Sequence, residues 1–221
     1  MPAKSAKISA VDWWQEERRA RAENYRCLAG IDEAGRGALA GPVVAACVVL
    51  PFERVPQGVD DSKTLTPEQR EHLYTQIMDM ARGVGVGIVD APTIDRINIL
   101  RAAHEAMRLA LQNLPPGLFP DVALIDGLPV RPFPLDQIAL VKGDGRSASI
   151  AAASIIAKVT RDRLMRVYGE VYPVYGFAAH KGYPAPTHLR ALEAHGVCPL
   201  HRRTFRPVAA LCDLPSPIRQ A

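Results

Sequence analysis

Between Gly30 and Leu50 the chain places charge where two apolar runs ought to pack, and this stretch constrains the fold more than any other. Cys27, Leu28 and Ala29 lead into Gly30 and Ile31. Two adjacent carboxylates follow, Asp32 and Glu33, then a Gly35-Arg36-Gly37 turn, and then an uncharged run from Val43 to Leu50. Two short apolar runs joined by a glycine-rich segment predict a pair of strands buried in a core. Carboxylates in such a place cost free energy unless something cationic meets them. The acid pair therefore predicts a site.

The charge of the chain is unevenly spread. The formal net charge is only +4, but residues 142–206 hold eleven Lys and Arg against four Asp and Glu. A basic C-terminal third points to a polyanionic partner such as nucleic acid; on charge alone, a solvated basic face is the alternative. Cys27, Cys47, Cys198 and Cys212 form no Cys-x-x-Cys pair, which argues for a reducing compartment and against a disulfide framework. Cys198 and His201 have ligand-like spacing, but no second pair accompanies them, so a zinc site is not expected. No stretch reads as a signal peptide or as a bilayer-spanning run of about 20 apolar residues, and a cytoplasmic location is the expectation.

The remaining chain alternates helix and strand signals. Val11 to Glu23 predicts a short charged helix anchored by Trp13 and Trp14. Asp60 to Leu65 is a polar loop, and Thr66-Pro67-Glu68-Gln69 has the pattern of a capped helix start, with the helix running to about Ala81. Gly83 to Val89 predicts a glycine-weakened strand. A helical region begins at Thr93, with Leu100, Ala103, Met107, Ala110, Leu111 and Leu114 at helical spacing, and Pro115-Pro116-Gly117 ends it. Asp121 to Asp126 and Gln137 to Val141 predict two more strands. Ser147 to about Val171 is the longest helix: small or apolar on every face at first, then charged (Lys158, Arg161, Asp162, Arg163, Arg166) and expected to emerge into solvent. Beyond it one short helix is predicted, at about Pro186 to Ala194. The order predicts a mixed α/β sheet with helices on both faces.

Asp32, Glu33, Asp126 and Asp144 each end or follow an apolar run. Taken singly, each also has an ordinary reading as a strand-end cap or turn residue, as good as the functional one for Asp126. A buried ladder, however, has no use for the two neighbouring charges of Asp32 and Glu33. Together the four converge if the strand ending at Asp126 lies parallel to and beside the strand carrying Asp32, with Asp144 reaching in from the mouth of the long helix. Crowded carboxylates raise one another's pKa unless divalent cations neutralise them. Oxygen donors without His or Cys suit Mg²⁺ or Mn²⁺. Two such ions about 4 Å apart activate water and stabilise a leaving oxygen in phosphodiester cleavage. Gly35-Arg36-Gly37 lets backbone approach a phosphate or sugar edge, although a Gly-x-Gly is also an ordinary tight turn. The segment Tyr175 to Tyr183 and His201-Arg202-Arg203-Thr204-Phe205 interleave aromatic and basic residues as nucleic-acid surfaces do. Phe177 and Phe205 read as core anchors, and Tyr183 as the functional candidate.

These motifs together resemble those of the ribonuclease HII (type 2 ribonuclease H) family. The matching segments are Gly30-Ile-Asp-Glu-Ala-Gly-Arg-Gly, Asp61-Ser-Lys-Thr-Leu, Leu124-Ile-Asp-Gly, Lys142-Gly-Asp144, Ser149 to Asp162, His180-Lys-Gly-Tyr183 and His201-Arg-Arg-Thr-Phe. They stand in family order over roughly Cys27 to Pro207. The resemblance implies a ribonuclease H-like five-stranded mixed sheet flanked by helices, with a helical C-terminal extension. The division expected is a tail and short helix in residues 1–25, a catalytic domain in 26–171 and a substrate-binding extension in 172–221. It further implies a monomeric, Mg²⁺- or Mn²⁺-dependent endonuclease. Such an enzyme cuts RNA in RNA–DNA hybrids and at single ribonucleotides in duplex DNA, leaving 3′-hydroxyl and 5′-phosphate ends. By the same resemblance Asp32, Glu33, Asp126 and Asp144 are the metal-binding and catalytic acids. Gly35, Arg36 and Gly37 read the ribonucleotide 2′-hydroxyl, Tyr183 stacks on the following deoxyribose, and Lys63, Lys181 and Arg203 bind substrate. Ala38 stands where the family usually has proline, and Leu128 where it often has Asn. A junction resolvase on the same fold would share the acids but has no use for Gly35-Arg36-Gly37 and Tyr183. A non-catalytic binding module leaves four acids facing a polyanion unexplained.

Overall fold

Five strands form one mixed sheet: β1 (Leu28–Ala34), β2 (Val43–Val49), β3 (Gly83–Val89), β4 (Val122–Asp126) and β5 (Asp136–Leu140), in spatial order β3-β2-β1-β4-β5. β1 pairs antiparallel with β2, and β2 with β3; β1 pairs parallel with β4, and β4 with β5. The computed structural model describes residues 12–59 and 65–212; the two chain ends and the loop holding Lys63 lie outside them. The strand pair expected from Gly30 to Leu50 is present, and β2 is buried along its whole length. That burial explains its lack of charge: helices cover both faces of the sheet, as the sequence pattern predicts.

One face carries α4 (Ile99–Gln112), whose Ala102, Ala103, Ala106, Met107 and Ala110 pack with Ile31, Val43, Ala45 and Cys47. The opposite face carries α5 (Ala148–Val171) and α2 (Pro67–Met80), which pack on Ala46 and Val48. Both layers sit against the sheet at backbone distance, because small residues meet small residues. A Cβ added at Gly30 of β1 would lie 2.1 Å from the Ser149 carbonyl of α5. At Gly85 and Gly87 of β3 it would lie 2.0 Å from the Ala110 and Ala106 carbonyls of α4. The alternating glycines of β3 are therefore what lets α4 approach.

Local signals hold up well in places. Thr66 and Gln69 form the predicted capping box, with Thr66 N–H donating to Gln69 Oε1 (2.8 Å) and Gln69 N–H to Thr66 Oγ1 (3.2 Å). The helical region around Thr93 is two helices, α3 (Ala91–Ile97) and α4, broken at Asn98, whose φ of 67° reverses the chain and whose side chain caps Arg101 N–H. Leu100 is not on the buried stripe; it lies in the first turn of α4 and is 49% exposed. The N-terminal helix α1 is shorter than expected (Gln15–Ala22), and Trp13 and Trp14 pack beside α2 and α5 as anticipated. Among the described residues the C-terminal segment holds three α-helices, not one: α6 (Phe177–His180), α7 (Pro186–His195) and α8 (Arg206–Cys212). α6 and α8 are too short to show periodicity, and they are held by tertiary packing around Phe177, Tyr175 and Val208. No described helix is long and apolar enough to cross a membrane.

Gly30→Ala is expected to lower stability by about 3 kcal/mol or more through backbone overpacking, roughly 6–12 °C in Tm. Gly37→Ala, where a Cβ meets nothing within 4 Å, is expected to leave Tm nearly unchanged. Thermal melts of both variants check the contrast.

Candidate active site

The parallel register of β1 and β4 brings the acids together. Gly30 is level with Leu124 and Ile31 with Ile125, so the next step along each strand puts Asp32 beside Asp126. Asp144 arrives on a 3₁₀ turn (Gly143–Gly145) between β5 and α5. That turn is tied to β4 by Gly143 N–H, which donates to Asp126 Oδ1 at 2.7 Å. Asp32, Asp126 and Asp144 each offer an oxygen within 4.8 Å of the others, and Asp32 and Asp144 are buried. The donors are all carboxylate oxygens, which fits a hard divalent cation such as Mg²⁺ or Mn²⁺. Burial first, then the nearby charges of Glu33 and Asp126, push the Asp32 carboxyl well above the usual carboxylate range, while the Ser154 hydroxyl and the Glu33 N–H (2.6 Å) partly offset this.

Glu33 behaves differently from its neighbour. Successive strand residues point to opposite faces, so Asp32 shares the α5 face with Gly30, while Glu33 turns toward α4. Its Oε1 accepts from Arg36 Nη1 at 3.0 Å. Burial raises the Glu33 carboxyl and Arg36 pulls it back down. Glu33 lines the same cleft as Asp32, but it stands outside the three-acid cluster.

That cleft has a volume of about 560 Å³ and is walled by Asp32, Glu33 and Asp126, the Gly35–Gly37 turn, Ser154, Lys158, Arg70 and Tyr183. Two arginines beneath it organise the wall. Arg161 and Arg202 have no exposed surface, and carbonyl oxygens accept all their recorded hydrogen bonds. Arg161 donates to Pro42 O (2.9 Å), Lys181 O (3.0 Å) and Ala40 O (3.1 Å). Arg202 donates to Gly41 O (3.0 Å), Arg36 O (2.9 Å) and Gly35 O (2.7 Å). Burial, then Arg161, pull the Arg202 guanidinium down to about 9, still cationic at neutral pH. Because a trans peptide holds C=O and N–H in opposite directions, drawing the Gly35 and Arg36 carbonyls onto Arg202 turns the Arg36 and Gly37 amides away from it. Gly35 (φ 96°) has to be glycine, since a Cβ would lie 2.0 Å from Arg161 Nε.

Tyr183 is held from its backbone. Its carbonyl meets His188 Nδ1 at 2.9 Å, and Gly182 N–H donates to His180 Nδ1 at 3.1 Å. His188 Nε2 meets His201 Nε2 at 3.1 Å, and burial followed by the neighbouring His188 drives His201 down to about 4, a neutral ring. His201 Nδ1 accepts from Cys198 N–H at 2.9 Å, so the Cys198–His201 pair is a turn-closing contact.

The other expected substrate residues lie elsewhere. Lys63 falls outside the described residues. The Lys181 ammonium donates to the Ala178 carbonyl, and Arg203 is anchored through its N–H to Asp95 Oδ2 (2.8 Å), neither side chain lining the cleft. Ser154, Lys158, Arg161 and Arg202 were not singled out from the sequence. The charged half of α5 does not simply emerge into solvent: Arg161 is fully buried and Asp162 nearly so, because the C-terminal segment packs over them. The spacing 154, 158, 161 marks one helix stripe and was the available signal.

A five-stranded mixed sheet of this topology, with carboxylates at the ends of two neighbouring parallel strands and a third on a nearby 3₁₀ turn, defines the class: a nuclease of the ribonuclease H fold. A solved structure of ribonuclease H2 from Pyrococcus horikoshii matches with a TM-score of 0.72 and 32% identity over 84% of this chain and 97% of that one. The Archaeoglobus fulgidus structure titled as a PCNA:RNase HII complex matches with a TM-score of 0.66 and 28% identity, over 82% and 96% of the two chains. Ribonuclease HII of Geobacter sulfurreducens is 56% identical over 195 residues, covering 88% of this chain and 89% of that protein. The family model for ribonuclease HII matches residues 29–208, and the chain belongs to that family of hydrolytic endoribonucleases.

In the absence of metal, Asp32→Asn is expected to raise Tm near neutral pH by about 2–4 °C, roughly 1 kcal/mol, by removing a buried charge that its neighbours oppose. The sign follows from linkage. The folded Asp32 holds its proton to higher pH than the unfolded one, so the parent is most stable in acid and loses that increment as pH rises through the raised value. The gap between variant and parent should therefore close on acidification, which melts in EDTA across a pH series will measure.

Proposed function

We propose that this chain cleaves the RNA strand of RNA–DNA hybrids and cuts on the 5′ side of single ribonucleotides in duplex DNA, leaving 3′-hydroxyl and 5′-phosphate ends. The observation that carries the reading is the shared cleft. Asp32 and Asp126 of the three-acid cluster, Glu33, the Gly35–Gly37 turn and Tyr183 line one space, and Asp144 joins the two aspartates from behind. Asp32, Asp126 and Asp144, with Glu33 beside them, would hold a divalent ion, Mg²⁺ or Mn²⁺, which would supply an activated water and offset charge on the leaving oxygen.

The protein's own groups do the selecting. The outward amides of Arg36 and Gly37 suit the oxygen of a 2′-hydroxyl and the adjoining phosphate, and amides read no base identity. A 2′-hydroxyl is what separates RNA from DNA, so cleavage is independent of sequence. Tyr183 offers a ring to the sugar that follows, where a second 2′-hydroxyl is disfavoured. Arg70, Lys158 and exposed Arg36 meet phosphates, and their contribution falls with salt. Residues 26–171 serve as the catalytic body and the segment from 172 onward as the part that closes over substrate.

A duplex with one embedded ribonucleotide, incubated with Mg²⁺, should be cut on the 5′ side of that ribonucleotide; cutting confined to branched DNA would falsify the proposal. Asp32→Asn should abolish cleavage and leave binding largely intact in a gel-shift assay. Gly37→Ala, neutral in stability, should lower cleavage about tenfold or more, because its Cβ occupies space meant for substrate. Wild-type rates in either variant argue against the assigned roles.

A further inference from the structure

Helix α1 precedes the part of the chain that the family model matches, yet it and its approach are bonded to residues 146–149, directly after the turn carrying Asp144. The first four N–H groups of a helix have no partner within it, and at the start of α5 α1 or its approach supplies two of the four acceptors. Ala148 N–H donates to Trp13 O at 2.8 Å, and Ser149 N–H to Glu17 Oε1 at 2.9 Å. Ile150 N–H goes to Ser147 Oγ (3.2 Å) and Ser147 N–H to Gly143 O (2.9 Å). Ser147 itself is fixed by Glu17, since its hydroxyl donates to Glu17 Oε1 at 2.7 Å. One residue earlier, Arg146 pairs with Glu16.

Glu17 is 1% exposed, and its second oxygen has no hydrogen-bond partner. Burying a carboxyl with one oxygen unsatisfied is costly, and α1 needs no such group merely to cover apolar surface. What the group does is hold residues 147 and 149, just beyond Asp144. On the other side the same turn is held by Asp126 through Gly143 N–H. Asp144 is thus strapped from front and back.

We propose that α1 is a strut for the metal centre: Glu17, acting through Ser147 and Ser149, is the positioning residue that sets the Asp144 oxygen against Asp32 and Asp126. The inference rests on the reading that those three carboxylates hold the divalent ion. Without Glu17 the segment after Asp144 loses its anchor at residues 147 and 149, and Asp144 is held less closely to the position from which it shares an ion with Asp32 and Asp126. Groups that orient ligands typically change metal affinity by 10- to 100-fold when removed.

The test is Mn²⁺ binding to the full chain without nucleic acid, followed by calorimetry or by the loss of the free-ion magnetic resonance signal. Glu17→Ala should weaken Mn²⁺ binding about tenfold. Glu17→Gln keeps the acceptor oxygen while removing charge, and should bind Mn²⁺ nearly as the parent does. Ser147→Ala is a small, neutral change that keeps the protein folded even if Glu17→Ala does not, and it should weaken Mn²⁺ in the same direction. Unchanged affinity in Ser147→Ala and in any folded Glu17→Ala, with only Tm lowered, overturns the strut. Equal weakening by Gln and Ala also overturns it, because charge would then be the cause. Asp144→Asn separates the two readings: if it too leaves Mn²⁺ affinity unchanged, the metal assignment has failed, not the strut.

Discussion

Two guanidinium groups sealed beneath the surface, with carbonyl oxygens for partners, are the contact on which the cleft depends. Arg161 comes from α5 and Arg202 from the C-terminal segment, and both reach into the connection between β1 and β2. A planar fork of donors suits this task better than an ammonium, because several carbonyls can be held at once in fixed directions. Their desolvation is tolerable only while every carbonyl stays in place, so the connection is rigid as a consequence. The Gly35–Gly37 turn is then a fixed template of outward amides, and Tyr183 faces it because Arg161 also holds the Lys181 carbonyl.

The acids follow a different logic, that of the pleat. Adjacent carboxylates on a strand cannot share one ligand position, since they leave the sheet on opposite sides. Asp32 joins Asp126 and Asp144 on the α5 side, and Glu33 reaches the cleft from the α4 side with Arg36 at its oxygen. The adjacent pair is thus two distinct instruments: one crowded and hard to ionise alone, the other already balanced by a cation.

Much of this was legible before any coordinates. The apolar runs of Gly30 to Leu50, the capping residues at Thr66 and Gln69, and the carboxylates that end strands gave the sheet, a helix start and the acid cluster. These are local patterns, and local patterns survive folding. What stayed hidden depends on tertiary contact. Arg161 and Arg202 look like surface charge until the C-terminal segment is seen to close over them. The break at Asn98 depends on one backbone angle. α6 is four residues long and has no period to read. Lys181 and Arg203 sit in the right motifs, but their side chains leave the cleft, and no spacing rule reports that.

One helix ties these parts together. α5, 24 residues and about 36 Å long, begins at the Asp144 turn, sends Ser154 to Asp32, places Lys158 in the cleft and supports the glycine turn through Arg161. Its first turns lie against Gly30 with backbone touching backbone. The acids and the glycine turn are therefore braced against a single helix, although none of them stands on it. Any tilt of α5 would reach the acids and the glycine turn at the same time, so the two sides of the cleft are coupled through the helix.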